Sequence, residues 1–389
     1  MYNIKLLNNI RSSALTGFDK SKYNISDAVE NPAAIIVRSA KLHDMELNPE
    51  LLCIARAGAG VNNIPLEKCA DKGVVVFNTP GANSRAVAEL AIGSLFIASR
   101  NIIDGVQWVK TIACEGDDVP QLVEKNKSKY GGPEILGKTL GVMGLGAIGA
   151  KIANAAAALG MKVCGYDPYL SPQAAATLCG EVKIVDDAEA IFSCADYLSV
   201  NVPLIDATRY FINEETIAKM KDGVRIINLS RAELVCDDSI IKALESGKVS
   251  CYVTDFPNAK TAAAKGVIPI PHLGASTPES EENCVTMASD QILDYIENGN
   301  IVNSVNIAGA SLPRTSCPRV CIIHKNQQNI SSKFEEAILS CGAKVESKTH
   351  CAGKGKAYDY SIIDVDSLKP EIAPALNAVE GVIKVRVIG

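Results

Sequence analysis

The sequence predicts an α/β protein built on doubly wound parallel sheets, and three observations carry that prediction. Short apolar runs bounded by turn residues alternate with helical stretches, beginning with IKLL, AAIIVRS, LLCIARAG and VVVFNTPG. From Lys138 the alternation restarts through TLGVMG, MKVCGYD, EVKIV, YLSVNVPL, VRIINLS, SCYVTDF and VIPIPH. Six or seven strands with short crossovers make a second sheet whose ligand crevice lies at the strands' carboxyl ends. Residues 319–389 then change rhythm to PRVCIIHKN, ISSKFEEAILSCG, AKVES, YDYSIIDV, SLKPEIAPALNAV and VIKVRVIG. That βαββαβ order is the pattern of a ferredoxin-like module.

The elements between these strands follow from their own patterns. SRAVAELAIGSLFIASRN carries apolar residues at helical spacing and connects the first sheet to the second. The polar, Gly-containing stretch near Glu115 to Pro133 reads as a surface excursion. TPESEENCVTMASDQILDYIENGN is one long amphipathic helix, opened by a Pro near its start and closed by Gly299. Residues 309–318, rich in Ala, Ser and Pro, read as a linker.

Composition narrows the function classes. The chain has 389 residues, 47% of them hydrophobic and 21% charged, which excludes a disordered or fibrous protein. Its net charge of −5 offers no overall basic field for nucleic acid or anionic lipid, so an anionic ligand must meet local positive charge. No apolar run approaches the roughly 20 residues of a membrane helix, and the N-terminus lacks a secretory stretch; a cytoplasmic protein with no membrane partner is expected. The 13 cysteines are scattered, odd in number and set in apolar patterns, which reads as buried reduced thiols. No structural metal site is expected, because clustered Cys and His ligands are missing.

Gly144, Gly146 and Gly149 form GLGAIG between a strand and a helix, and Asp167 ends the next strand. The first glycine permits a tight turn, the second lets backbone approach a pyrophosphate, and the third lets the helix pack on the sheet. Amide donors and the helix dipole then face the anion, with Ala147 and Ile148 in the same loop. Asp167 would accept from an adenosine ribose and repel a 2′-phosphate. No Lys or Arg follows it before Lys183, so NAD is expected over NADP.

Three polar groups follow apolar strands and so point toward the same crevice: Arg231 in NLSRAELV, Asp255 in TDFPNAK and His272 in IPHLGAST. A guanidinium suits a carboxylate through two parallel charge-assisted hydrogen bonds. An imidazole can take a hydroxyl proton while hydride leaves the same carbon. Together they point to oxidation of a small 2-hydroxy acid.

The strings GLGAIG, YDP, NVPL, NLSRAELV and PHLGAST, in this order and spacing, resemble the D-isomer-specific 2-hydroxyacid dehydrogenases. With IVRSAKL, ARAGAGVNNI, NTPGANSRAVAEL and the C-terminal βαββαβ segment, the chain looks like the members that oxidise 3-phospho-D-glycerate with NAD at the start of L-serine biosynthesis. The resemblance implies a Rossmann cofactor domain (84–272) inserted in a discontinuous flavodoxin-like substrate domain (1–83 and 273–308), followed by an ACT-like regulatory or oligomerisation domain (319–389). It implies a homodimer or homotetramer. Arg231 would bind the substrate carboxylate and His272 would be the acid/base. Arg38, Ser39, Arg56, Gly60 and Asn83 would hold substrate, Arg38 with Lys41 supplying the local charge for a phosphate. Ala59, Val202, Leu229, Thr254, Asp255, Gly274 and Ala275 would line the cofactor.

The chain departs from the family pattern at one catalytic position. The family's acid/base pair needs a Glu shortly after the strand that ends in TDFP, and Ala259 followed by Lys260 stands there. A carboxylate beside the imidazole favours imidazolium, so its loss should weaken His272 as a proton acceptor, more so if Lys260 faces inward. Asp255, Glu279, Glu281 and Glu282 are the carboxylates that could substitute. Besides the leading expectation, two others stand: action on another 2-hydroxy acid (glyoxylate or hydroxypyruvate chemistry) and a non-catalytic NAD(H)-binding protein. In the C-terminal module His324 and Asn329 are kept but Ser332 replaces a turn Gly, so subunit pairing is preferred to serine binding as its role.

Overall fold

The computed structural model describes every residue except Asn9, Thr16, Lys354, Gly355 and Ala357. The chain divides into two compact units, one of residues 1–83 with 278–389 and the other of residues 84–277.

The first unit opens with five strands: β1 (Tyr2–Leu7), β2 (Tyr23–Ser26), β3 (Ala34–Val37), β4 (Cys53–Arg56) and β5 (Val75–Phe77). They pair in parallel in the order β2-β1-β3-β4-β5, which is the flavodoxin-like order. The sequence reading has four of these strands and misses β2, whose YNIS is too short and polar to announce an edge. The long helix Pro278–Asn298 buries Cys284, Val285, Ala288, Ile292, Tyr295 and Ile296.

The second unit begins with the helix Ser84–Ser99, whose Val87, Ala88, Ala91 and Leu95 sit in one apolar core with Leu140, Val142 and Ala153. The excursion after it is helical, with turns over Ile102–Thr111 and Val119–Asn126 that bury nothing. Seven parallel strands follow: β6 (Thr139–Met143), β7 (Lys162–Tyr166), β8 (Val182–Ile184), β9 (Tyr197–Val200), β10 (Val224–Asn228), β11 (Val249–Thr254) and β12 (Val267–Pro269). Their order is β12-β11-β10-β9-β6-β7-β8. The chain runs outward from β6 to β8 and returns to β9 on the other side of β6, so the switch point lies between β6 and β9. The glycine loop and the loops that carry Arg231, Asp255 and His272 all leave the carboxyl ends of these strands.

Back in the first unit, β13 (Arg319–Lys325), β14 (Val345–Cys351), β15 (Tyr358–Val365) and β16 (Val382–Ile388) form an antiparallel sheet in the order β14-β15-β13-β16. With the helices Ile330–Ser340 and Ile372–Asn377 this is the βαββαβ arrangement expected from sequence, compatible with an ACT-like module. One face packs on its own helices around Phe334, Ile338, Ile372 and Leu376. The other shares a core with the first sheet and the long helix through Cys53, Phe77, Tyr295, Cys321 and Tyr360. Arg386 donates to the Tyr295 and Ile296 carbonyls at 3.1 and 3.0 Å, and Lys384 donates to the Leu51 carbonyl at 2.9 Å. The buried Arg319 and Asp364 make a two-pronged ion pair at 2.7 and 3.0 Å. His324 is buried, with Nε2 within 3.0 Å of the Ser361 hydroxyl and its ring edge-on to Phe334. Burial pushes its pKa below the ordinary value. The imidazole is spent inside the module.

No single helix among the described residues is long and apolar enough to cross a membrane.

Candidate functional site

The glycine loop supplies three different fits, one per glycine. Gly144 sits at φ +88° with its Cα against the chain of Asn201, where an added Cβ would fall 2.6 Å from a carbonyl oxygen. Gly149 opens the helix Gly149–Ala158, and a Cβ there would fall 1.9 Å from the Gly144 oxygen and 3.2 Å from Val142. A Cβ on Gly146 would meet nothing within 4 Å among the described residues, so that side of the loop faces open space where a pyrophosphate could rest. Beside it a cleft of about 490 Å³ is lined by Leu145, Gly146, Ala147, Asn154, Ala174 and Thr177. The residues therefore fit a dinucleotide, and the loop lies at the switch point, where Val202, after β9, would stand 3.1 Å from a Cβ on Gly144.

Asp167 has a part that sequence reasoning does not give it. Its Oδ2 accepts from the Leu145 N–H at 2.9 Å, and its Oδ1 accepts from the Tyr169 N–H at 2.9 Å. The carboxylate thus braces the glycine loop from the end of the next strand. One test separates cradle from scaffold. Gly146→Ala should leave the thermal unfolding midpoint unchanged, because its Cβ enters open space, yet weaken NADH binding by about tenfold or more through lost backbone approach. Unchanged NADH affinity by fluorescence titration would remove the loop from the cofactor site.

Three further loops leave β10, β11 and β12. Arg231 follows β10, is exposed, and donates from Nη1 to the Ser230 carbonyl at 2.6 Å. Its loop is fixed by Asn228, whose amide donates to the Arg231 carbonyl at 2.8 Å, and by Ser230, whose hydroxyl donates to the Val200 carbonyl at 2.8 Å. Leu229 is buried beneath it. His272 follows β12 at φ +48°, a left-handed conformation uncommon for a residue with a Cβ. Its N–H donates to the carbonyls of Ile270 and Asp255 at 2.9 and 3.1 Å. Phe256, which the sequence reading misses, joins the two. Its ring lies 4.5 Å from the His272 ring and 5.8 Å from the Arg231 guanidinium. No local pattern marks such a residue, because it touches its partners only across three loops.

Asp255 and Thr254 are both buried at the end of β11. Thr254 Oγ1 accepts from the Phe256 N–H at 3.1 Å. Asp255 Oδ2 accepts from the Gly274 N–H at 3.0 Å, while its buried Oδ1 has no hydrogen-bond partner among the described residues. Burial raises the Asp255 carboxyl above its ordinary value, against the pull of the Gly274 N–H, His272 and Arg231. Ala259 starts a short helix capped by Asn258, and no carboxylate stands there. Lys260 turns to the surface and pairs with Asp238 at 2.8 Å, so it does not bear on His272. Gly274 and Ala275 continue the His272 turn, Gly274 buried and Ala275 half-buried.

In the first unit the residues expected to hold substrate follow β3, β4 and β5. Asn8, absent from the sequence reading, accepts through Oδ1 from the N–H groups of Arg38, Ser39 and Ala40 at 3.3, 2.9 and 2.9 Å. Arg38 pairs with Glu281 at 2.6 Å, and Arg11 lies near Glu281 and Glu282 at 3.8 and 3.5 Å. Arg56 donates from Nε to the Arg38 carbonyl at 3.1 Å. The ARAGAG loop is held by Gly58, whose N–H donates to Thr79 Oγ1 at 2.7 Å, and by Asn78, whose amide donates to the Ala59 carbonyl at 2.7 Å. Ala59 is exposed, and Gly60 and Asn83 are half-buried.

A glycine cradle at a switch point, with an arginine and a histidine on the carboxyl ends of β10 and β12 of the same sheet, has the form of a dinucleotide-binding protein of the dehydrogenase type. Residues 92–274 match the NAD-binding domain model of the D-isomer specific 2-hydroxyacid dehydrogenases. A hydroxypyruvate reductase of Thermotoga maritima is 35% identical over 289 residues, covering 71% of this chain and 89% of that protein. The D-3-phosphoglycerate dehydrogenase of Methanocaldococcus jannaschii is 33% identical over 317 residues, 78% of this chain. This chain spans 58% of that enzyme's length and 53% of the rat enzyme's. Among solved structures, an NAD-bound 3-phosphoglycerate dehydrogenase of Entamoeba histolytica aligns at a TM-score of 0.59 and 26% identity, over 78% of this chain and 98% of that one. A glyoxylate reductase of Paecilomyes thermophila shares the fold at a TM-score of 0.64 and 24% identity, over 78% of this chain and 98% of that one. The chain belongs to the D-isomer-specific 2-hydroxyacid dehydrogenases, and its cofactor is NAD.

Proposed function

We propose that the protein interconverts 3-phospho-D-glycerate and 3-phosphohydroxypyruvate. The observation that carries this reading is the Arg231–Phe256–His272 group on the strand ends at the same edge of the sheet as the glycine cradle. NAD would be held by the Gly144–Gly149 loop and would supply the hydride acceptor for C2. His272 takes the C2 hydroxyl proton as that carbon becomes a carbonyl, and returns it in the reverse direction. Arg231 grips the carboxylate and stabilises charge developing on the carbonyl oxygen. The phosphate is assigned to Arg38, helped by Lys41 and Ser39. That choice of substrate is supported by the relatives named D-3-phosphoglycerate dehydrogenase.

A second reading has its own observation. Arg38 is already paired with Glu281, and the amides of Arg38 to Ala40 are already taken by Asn8. A phosphate at that loop must displace Glu281, whereas an unphosphorylated 2-hydroxy acid need not. The relative named hydroxypyruvate reductase fits this alternative. Steady-state reduction with NADH decides between them. The first reading expects 3-phosphohydroxypyruvate to exceed hydroxypyruvate and glyoxylate in kcat/KM by at least about tenfold, and Arg38→Ala to erase most of that preference by raising KM. Equal use of all three substrates would favour the second reading. NADH binding with no turnover would leave a non-catalytic dinucleotide binder.

A further inference from the structure

Away from the strand ends that carry the cradle, the second unit brings two cysteines together. Cys164 lies in the middle of β7 and is buried; Cys194 ends the helix Ala188–Cys194 and is half-buried. The reason they meet is Gly141, the register partner of Cys164 on β6. A Cβ there would fall 2.4 Å from Ile191 and 3.1 Å from Ala195, so the missing side chain lets the helix press onto the sheet. This seats the two sulfurs 3.3 Å apart. Each thiol also reaches a main-chain carbonyl, Cys164 that of Leu140 at 3.7 Å and Cys194 that of Ile191 at 3.6 Å. Both sulfur-bearing residues line a cavity of about 500 Å³ with Thr139, Lys162, Glu181 and Lys183, which gives a small solute a route to them.

We propose that Cys164 and Cys194 are a reversible dithiol, closed to a disulfide by a peroxide and reopened by a thiol. A disulfide needs sulfurs at about 2.05 Å, so closure asks for little more than 1 Å of movement. The half-buried Cys194 reacts first. Its thiolate sulfur displaces hydroxide from hydrogen peroxide, giving a sulfenic acid. Cys164 then loses its proton and attacks that sulfur; the S–S bond forms, the S–O bond breaks, and the oxygen leaves as water. Two thiols lose two electrons and two protons, and one peroxide becomes two waters. Burial and the neighbouring Cys194 push the Cys164 thiol up to about 12, so it attacks slowly and the pair rests reduced until an oxidant arrives. The remaining cysteines have no such arrangement among the described residues: none forms a disulfide, and Cys114 alone is exposed. The tie would join the helix to β7, whose last residue supplies the Tyr166 carbonyl to the Gly144 N–H at 2.8 Å and whose continuation supplies the Asp167 carboxylate to the Leu145 N–H at 2.9 Å.

The test uses the full chain, titrated with hydrogen peroxide, alkylated with iodoacetamide and mapped by mass spectrometry. The expected product is a Cys164–Cys194 cross-linked peptide lacking two hydrogens, formed before Cys114 loses half its alkylation and removed by dithiothreitol. Oxidation should raise the thermal unfolding midpoint, since the bond closes a long loop in the unfolded chain. Cys194→Ser, at the more exposed position, should abolish both changes while leaving the reduced protein's midpoint in place; Cys164→Ser should abolish the cross-link too. Cys194 recovered as sulfinic acid without a cross-link, a cross-link to any other cysteine, or Cys114 oxidised while both thiols stay alkylatable would overturn the proposal.

Discussion

His272→Asn lowers kcat/KM in both reaction directions by about 10²- to 10⁴-fold, the usual worth of a positioned acid/base, while NADH affinity stays within about twofold of wild type. Asn is the informative replacement because His272 sits at φ +48°, where Asn is tolerated better than most residues with a Cβ. The turn that His272 opens also holds Gly274 against Asp255, so a strained substitute would disturb a second contact and blur the result. Loss of turnover with intact cofactor binding identifies the imidazole as the proton carrier. Activity within tenfold of wild type would show that the proton moves by another route and would remove His272 from the mechanism. Arg231→Lys makes the companion measurement. It keeps the charge but loses the fork, so KM should rise together with a fall in kcat.

The parts of this site legible in sequence are those whose physical cause is local. Gly144, Gly146 and Gly149 announce themselves because a turn, an approach and a helix packing each exclude a side chain at a fixed spacing. Arg231, Asp255 and His272 are legible because each stands just after an apolar strand, and parallel strands deliver their carboxyl ends to one edge. What the sequence does not display arises from tertiary neighbours. Phe256 matters through rings and charges on two other loops. Asn8 serves a loop some thirty residues later, and Glu281 reaches Arg38 from the far end of the chain. The scattered cysteines read as inert thiols until β7 and a helix put two of them side by side; six of the thirteen are buried and six half-buried. Lys260 shows the converse, since a charge that looks damaging beside the missing Glu is turned away onto Asp238.

Asp255→Asn tests which carboxylate serves His272 now that Ala259 stands where the family has Glu. Glu281 and Glu282 are engaged with Arg38 and Arg11, whereas Asp255 is buried, its main-chain carbonyl accepts from the His272 N–H at 3.1 Å, and its Oδ1 has no hydrogen-bond partner among the described residues. Asn keeps an acceptor for the Gly274 N–H, so the turn should hold and the unfolding midpoint should move little. What changes is charge. A carboxylate beside the imidazole favours its protonated form, and Arg231 opposes that effect from the third loop. Reduction needs His272 protonated, so removing the carboxylate should move the alkaline limb of its kcat/KM profile to lower pH. Oxidation needs it neutral, so the acid limb of that profile should move to lower pH as well. Ala259→Glu should shift both limbs the opposite way, because it restores a second negative charge. Limbs that stay in place in Asp255→Asn yet move in Ala259→Glu would mean that nothing in the present chain replaces the lost Glu and that the enzyme works with an unassisted histidine.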